Sequence, residues 1–360
     1  MKLLSVIIPI YNVEPYVEKC IRSLEIQDIS RDEYEIICVN DGSPDKSREV
    51  VLRLQNEFNN IILIDQINQG VSVARNTGAD KAVGKYLLFI DPDDYVHENS
   101  LGSIIKKAVI EHAQVTVPVY AYIDSDGNVQ GKKKFEYYNG KVLSGIEAFS
   151  VLRGKGQKVS GPIKGVIPDS SVGIIFEKEF LDKNCLRYVP GVIMFQDVEI
   201  LARIHCLADR CLLVTEFFYY AVSRKGSTTR SNRLSKEHVT TGFKLAALNL
   251  KAFQNKYLLS REQMLFLNVT VVQFVLLSVY SAIRTRSRHR LSAVVNDLRV
   301  SGLRTLALEG CKGYHLICGF SYNVSPYLGA VITVLYLKFR NWYTAKLKYR
   351  YYKKAPLPHN

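Results

Sequence analysis

The first hundred residues alternate short apolar runs with longer segments of helical periodicity, and this alternation constrains the fold more than any other feature. The runs are Leu4–Ile10, Glu35–Asn40, Ile61–Asp65 and Tyr86–Ile90, each too short for a helix and rich in Ile, Leu and Val. Runs of this length, bounded by polar or turn residues, read as strands buried on both faces of a parallel sheet. Between them, Val13–Leu24, Asp45–Phe58 and Val71–Ala82 have the apolar spacing of helices packed on one side. A βαβαβαβ order with right-handed crossovers predicts an α/β fold with an open, doubly wound, mostly parallel sheet.

In such a sheet, ligands collect beyond the carboxyl ends of the strands. Here those ends carry Pro9-Ile10-Tyr11-Asn12, then Asn40-Asp41-Gly42-Ser43, then Asn68-Gln69-Gly70 leading into Ala74-Arg75-Asn76-Thr77-Gly78, and finally Asp91-Pro92-Asp93-Asp94. Carboxylates clustered at a strand end suit a hard divalent cation shared with a phosphorylated ligand. An Asp-rich turn alone is an ordinary surface feature, so the order of the loops gives the cluster its weight.

The motifs PIYN at 9–12, NDGS at 40–43, GVSVARNTG at 70–78 and FIDPDD at 89–94 resemble the family 2 glycosyltransferases. The likeness is strong over roughly residues 1–100 and thinner to about residue 230. It implies a GT-A fold, a nucleotide-sugar donor and inversion at the anomeric carbon. It also implies that Asp41 accepts a hydrogen bond from uracil and so selects a UDP-sugar; the alternative is that Asp41 starts an Asx-type turn with Gly42. Pro9, Tyr11 and Asn12 would lie along the base and ribose, and Arg75 near the donor. Gly70 and Gly78 would permit tight turns or close backbone approach. Glu14 joins the donor-binding set, with a favourable acid in a first helical turn as its alternative, and Asn76 reads as a structural hydrogen-bond hub. Asp91 and Asp93 resemble the family's DxD pair, which implies Mn2+ or Mg2+, with Asp93 as the direct ligand. Asp91 would contact the sugar or ribose or act through water, and Asp94 would orient its neighbours.

An inverting transfer needs a base on the face of the sugar opposite the leaving group. The resemblance places it in Phe195-Gln196-Asp197-Val198-Glu199, with Arg203 downstream, and makes Asp197 the base. The chain departs from the family pattern at Gln196, where Glu is usual, and Glu199 is a competing acid. The alternative is a capped helix with Asp197 at its N-terminus and Arg203 on its surface. Farther on, Tyr219-Tyr220 and Arg224-Lys225-Gly226-Ser227 resemble the family's tyrosine-rich strand and Gly-Ser loop. Arg224, or Arg230 beyond it, would meet the diphosphate, or would belong to a basic surface loop.

Three regions are expected: a donor-binding half over 1–105, an acceptor-binding half over 106–230, and a helical, basic region over 231–360. Val115–Ile123 and Val129–Tyr138 flank Asp124-Ser125-Asp126-Gly127-Asn128 and predict a hairpin with a tight turn. Lys155–Gly165 reads as a mobile loop. At 360 residues and 47% hydrophobic content the chain can bury a substantial core.

From Arg284 to Asn360 there are 14 Lys plus Arg against two acids, Asp297 and Glu309, so this segment holds +12 of the chain's +14. No recognition motif accompanies the charge, and basic residues interleaved with apolar ones favour an anionic membrane surface over nucleic acid. Val269–Ile283 is about fifteen residues long and broken by polar side chains, short of the roughly twenty that a spanning helix needs. Tyr327–Leu337 is shorter and runs into alternating Lys, Tyr and Arg. Both predict peripheral association, with helices of a protein core as the alternative. Seven cysteines without a CxxC pattern predict reduced thiols, His205, Cys206 and Cys211 read as core, and MKLLSVIIPI reads as strand one, not a cleavable leader.

The sequence thus points to an inverting, metal-dependent transfer from a UDP-sugar to a glycan or lipid-linked glycan of the cell surface, at the cytoplasmic face of a membrane. The alternatives are a non-catalytic nucleotide-sugar-binding subunit and a nucleotidyltransferase. PIYNVEPY lacks the Gly-rich basic loop that the latter needs for a triphosphate. Sugar, acceptor, linkage and oligomeric state are not legible.

Overall fold

A computed structural model describes residues 2–123, 129–132, 138–152, 170–222, 236–284 and 288–336. It divides into two compact units, Met1–Leu234 and Ser235–Asn360.

The first unit opens as the sequence predicts: β1 (Leu4–Ile10), α1 (Glu14–Glu25), β2 (Tyr34–Asp41), α2 (Ser47–Glu57), β3 (Ile61–Gln66), α3 (Val71–Lys81) and β4 (Tyr86–Phe89). These four strands pair in parallel in the order β3-β2-β1-β4. Every residue of β1, β2 and β4 is buried, which explains their unbroken apolar pattern. Gly78 on α3 is set by packing, since a Cβ there would sit 2.5 Å from the Ile7 side chain.

Register aligns the chemically loaded ends. Ile10 lies opposite Asn40, Asn40 opposite Asp65, and Ile7 opposite Phe89. The loops after β1, β2, β3 and β4 therefore open on one edge of the sheet.

Beyond β4 the sheet becomes mixed. The elements are β5 (Tyr95–Val96), α4 (Leu101–Ile110), β6 (Val115–Ile123), β7 (Val129–Lys132), β8 (Val142–Leu143), α5 (Gly145–Leu152), β9 (Ile175–Glu177), α6 (Lys178–Lys183), α7 (Gln196–Leu207) and β10 (Cys211–Val222). Strand β9 runs antiparallel between β4 and β6, and β10 is parallel to β6 and antiparallel to β5 and β8. The predicted hairpin is present as the antiparallel pair β6 and β7; its turn, like the Lys155–Gly165 loop, lies outside the described residues.

The second unit is helical: α8 (Lys236–Lys256), α9 (Arg261–Arg284), α10 (Arg288–Leu298), α11 (Tyr314–Val324) and α12 (Pro326–Tyr336). The expectation for Val269–Ile283 needs correcting. Its helix begins at Arg261, because Met264–Leu267 extends the apolar stretch by a turn, and α9 is long and apolar enough to cross a membrane. Two-thirds of that apolar window is nevertheless buried within the protein. Asn268 pairs with Gln254 of α8 at 2.9 Å and Ser281 with Thr240 of α8 at 2.8 Å, so α9 is a core helix of this unit. Helices α11 and α12 form an antiparallel hairpin at Ser325. Gly329 abuts the Tyr322 backbone, which a Cβ would approach to 2.5 Å, and the Tyr314 and Tyr336 rings stack at 4.5 Å.

Candidate active site

At the end of the edge formed by the loops after β1, β2 and β3, the loops hold one another through hydrogen bonds to the backbone. The buried Asp41 carboxylate accepts from Gln66 Nε2 at 2.7 Å and the Gln69 N–H at 2.8 Å on Oδ1, and from the Gly70 N–H at 2.8 Å on Oδ2. It spans two loops and does not start an Asx turn with Gly42. Gly42 and Gly70 take φ of +65° and +88°, a region that a Cβ disfavours. Oδ2 keeps acceptor capacity for a further donor.

Helix α1 has no cap from its own Val13, and the β2–α2 loop supplies one. Ser43 Oγ accepts from the Asn12 N–H at 2.7 Å, Ser47 Oγ from Val13 at 3.1 Å and Asp45 Oδ2 from Glu14 at 2.8 Å. These are the orphan donors of a helix start. Glu14 answers by accepting from the Lys46 N–H at 3.2 Å. Burial pushes the Asp45 carboxyl up, but its bonds from Ser43, Ser47 and the Glu14 and Ser47 N–H groups outweigh burial and hold it below the ordinary value. Asn12 adopts φ of +54° and Tyr11 is half-exposed, leaving the tyrosine ring at the edge where a base would lie. Pro9 is buried within β1, so its part is to shape the strand end.

At the other end, charge does the organising. Arg75 on α3 is buried, and its guanidinium bonds Asp91 Oδ1 at 2.7 Å and Asp197 Oδ1 at 3.3 Å. The Tyr188 ring lies 5.0 Å from it. Burial disfavours the charged guanidinium, but Asp197, Tyr188 and Asp91 outweigh that and raise Arg75 above its ordinary value. The sequence anticipated a basic group beside the donor. The structure sets it beneath the carboxylates, between the end of β4 and the start of α7.

Asp197 is 8% exposed. Its Oδ1 also accepts from the Ser171 N–H at 3.2 Å and from the Ser171 hydroxyl, which in turn meets the Tyr188 hydroxyl at 2.5 Å. All these bonds fall on Oδ1, which aims Oδ2 away from the anchor. Phe195, in the left-handed region, occupies the N-cap position with no side-chain cap, so capping does not account for Asp197. Glu199 is fully buried and bonded through both oxygens to Arg203, at 2.8 and 2.6 Å. That pairing removes Glu199 from competition as a base and places Arg203 inside, not on the surface. Asn76 is the expected hub, exchanging bonds with the Tyr188 backbone at 2.8 and 2.9 Å.

The ligating oxygens of Asp91, Asp93 and Asp94 lie within 4.8 Å of one another. Asp94 is braced on both oxygens, by the Tyr219 hydroxyl at 2.6 Å and the Val222 N–H at 2.7 Å. Burial pushes its carboxyl well above the ordinary value, and the charges of Asp91 and Asp93 add to this. Asp91 spends one oxygen on Arg75. The donor set is all hard oxygen, which fits a Mn2+ or Mg2+ ion that Asp91 and Asp93 would hold.

Ser171 and Tyr188 were not singled out from the sequence. Both lie in a stretch with no motif, and only the fold brings them to Asp197. Arg224 and Arg230 lie outside the described residues.

Residues 5–169 match Glycosyl transferase family 2. This region belongs to that family. The chain is 29% identical over 228 residues to Glycosyltransferase GlyA of Streptococcus pneumoniae, covering 63% of this chain and 31% of GlyA. It is 43% identical over 102 residues to the Minor teichoic acid biosynthesis protein GgaB of Bacillus subtilis, covering 28% of this chain and 11% of GgaB. The chain thus spans a third or less of these relatives. Among solved structures it resembles S. aureus TarS 1-349 in complex with UDP-GlcNAc, with a TM-score of 0.66 and 18% identity over 94% of this chain and 92% of that one. That likeness establishes the GT-A fold.

Proposed function

We propose that this protein transfers a sugar, with inversion, from a UDP-sugar to a hydroxyl of a glycan or lipid-linked glycan in cell-surface polysaccharide synthesis. The observation that carries the proposal is the shared guanidinium: Arg75 bonds both the first aspartate of the DxD turn and Asp197. One guanidinium thereby holds both carboxylates close together, which supports a reading in which Asp91 faces the leaving diphosphate and Asp197 takes the acceptor proton.

In this reading Asp41 and Tyr11 hold the uracil ring, and Asp91 and Asp93 face the diphosphate. Asp197 Oδ2 accepts the acceptor hydroxyl's proton as that oxygen attacks the anomeric carbon, while the bond from that carbon to the diphosphate breaks and UDP leaves. Arg75 and Ser171 hold Asp197 in orientation through Oδ1. Asp91 and Asp93 would hold a divalent cation, which would supply Lewis-acid stabilisation of negative charge on the leaving diphosphate. The uridine choice is supported by TarS binding UDP-GlcNAc, and the cell-surface setting by GgaB belonging to teichoic acid biosynthesis. Seven cysteines outside any disulfide support a cytoplasmic location.

The test is a panel of nucleotide-sugars with Mn2+ or Mg2+, reading released nucleoside diphosphate. Slow metal-dependent hydrolysis of one or more UDP-sugars, and not of GDP- or CMP-sugars, is expected. Silence across the panel, together with UDP binding, would overturn the catalytic reading.

A further inference from the structure

The apolar surface of the second unit is not where hydropathy alone would put it. Helix α9, long and apolar enough to cross a membrane, is mostly buried, and among the described residues most of the exposed large apolar side chains of this unit sit on the α11–α12 hairpin. On α11, Ile317, Phe320 and Val324 are 61%, 64% and 65% exposed; on α12, Leu328, Val331 and Leu335 are 42%, 50% and 61% exposed. Each set repeats at i, i+3 and i+7, which is one face of a helix. The opposite faces, with Cys318, Tyr322, Ala330 and Thr333, are buried. Large apolar side chains exposed singly are ordinary, but two matching rows on one hairpin mark an interaction surface.

We propose that this hairpin face docks on an anionic lipid bilayer. Charge chooses the occupant. From Gly310 to Asn360 the chain has eight Lys plus Arg and no Asp or Glu. A second copy seated on the same face would bring two such segments together and raise the repulsion between them, whereas anionic headgroups neutralise them. The chain's one tryptophan, Trp342, and a run of tyrosines fall among those cations, side chains suited to the headgroup layer. Helix α11 has eleven residues, about half of what spanning requires, so the hairpin lies on the surface with its apolar rows in the acyl boundary.

The full chain should sediment with vesicles containing phosphatidylglycerol and much less with phosphatidylcholine alone, and Trp342 emission should shift to the blue on binding. The double substitution Phe320→Glu and Val331→Glu should weaken vesicle binding at least about tenfold while leaving UDP affinity and far-UV circular dichroism unchanged. Lys353→Gln and Lys354→Gln should each weaken it roughly fivefold at low salt. No sugar transfer is required, so the outcome is independent of the proposed activity. Equal binding to neutral vesicles would overturn the choice of occupant. So would a doubly substituted chain that changes from dimer to monomer by sedimentation velocity with vesicle binding intact, which would make the face a self-association surface.

Discussion

The two ends of the ligand-binding edge are built on different physics. Around Asp41 and Asp45 the loops are held by short hydrogen bonds from backbone N–H groups to carboxylates and hydroxyls, and every partner is local to the loops after β1, β2 and β3. Around Arg75 the holding force is charge, shared among residues that come from α3, the end of β4 and the start of α7. A hydrogen-bonded frame tolerates the loss of one member at modest cost. A buried guanidinium between two carboxylates does not, because removing one charge leaves another unpaired in low dielectric. The Asp41 end is therefore expected to be robust and preorganised, and the Arg75 end sensitive.

Asp197→Asn breaks the sensitive end with the largest functional effect. Turnover should fall by about 100- to 10,000-fold, the usual worth of a general base, while UDP affinity measured by calorimetry stays within error, since Asp41 and its loops are untouched. Near-normal turnover would remove Asp197 from the chemistry.

Arg75→Met comes next. Leaving Asp91 and Asp197 without their cation should cost about 3 kcal/mol of stability, the lower end for a broken buried pair, because Asp91 is partly exposed. Urea unfolding of Arg75→Met, Asp197→Asn and the double variant should show that the two losses do not add, as neighbours sharing a network do not. Full additivity would mean that the bridge carries no coupling.

A smaller effect is expected from Asp93→Ala. The gain in UDP affinity on adding Mn2+ should disappear, a loss of at least the 10- to 100-fold that even outer partners of a metal site are worth. The metal-free affinity should persist, because the loops around Asp41 do not depend on the ion. An unchanged metal titration would take Asp93 out of the metal site.

The same contrast explains what the sequence disclosed. The strands, helices and turn residues of the first hundred positions follow from local pattern, so Asp41, Gly70 and the Asp91–Asp94 turn could be placed on one edge before any coordinates. Asp197 could be singled out only through the family resemblance, and its neighbours not at all. Ser171 and Tyr188 reach it through tertiary packing, and neither carries a composition or spacing signal. The alternative of a capped helix puts Arg203 on the surface, and Glu199 stands as a competing acid, yet the two pair with each other inside the fold. In the second unit, hydropathy marked α9, whose Asn268 and Ser281 pair with α8, and overlooked α11, whose apolar residues are divided evenly enough around the helix that only burial separates the packed face from the exposed one.

The robust end can be tested by its least costly break, Asp45→Ala. This removes the acceptor for the Glu14 N–H and for Ser43 and Ser47, and the loss should be about 1 kcal/mol, the typical worth of a helix cap. The pH dependence distinguishes a capping carboxylate from simple packing. Because the folded state holds Asp45 below its ordinary value, its charged form binds the loop more tightly than its neutral form. That contribution is present in full above the unfolded carboxylate value of about 4 and is lost as pH falls through the lower folded value. The stability difference between the parent and Asp45→Ala, measured by urea unfolding, should therefore be constant from pH 7 to about pH 5 and shrink below about pH 4. A difference that stays constant to the most acid pH at which both fold would mean that the carboxylate's charge contributes nothing, and that the Asp41 end is held by shape alone.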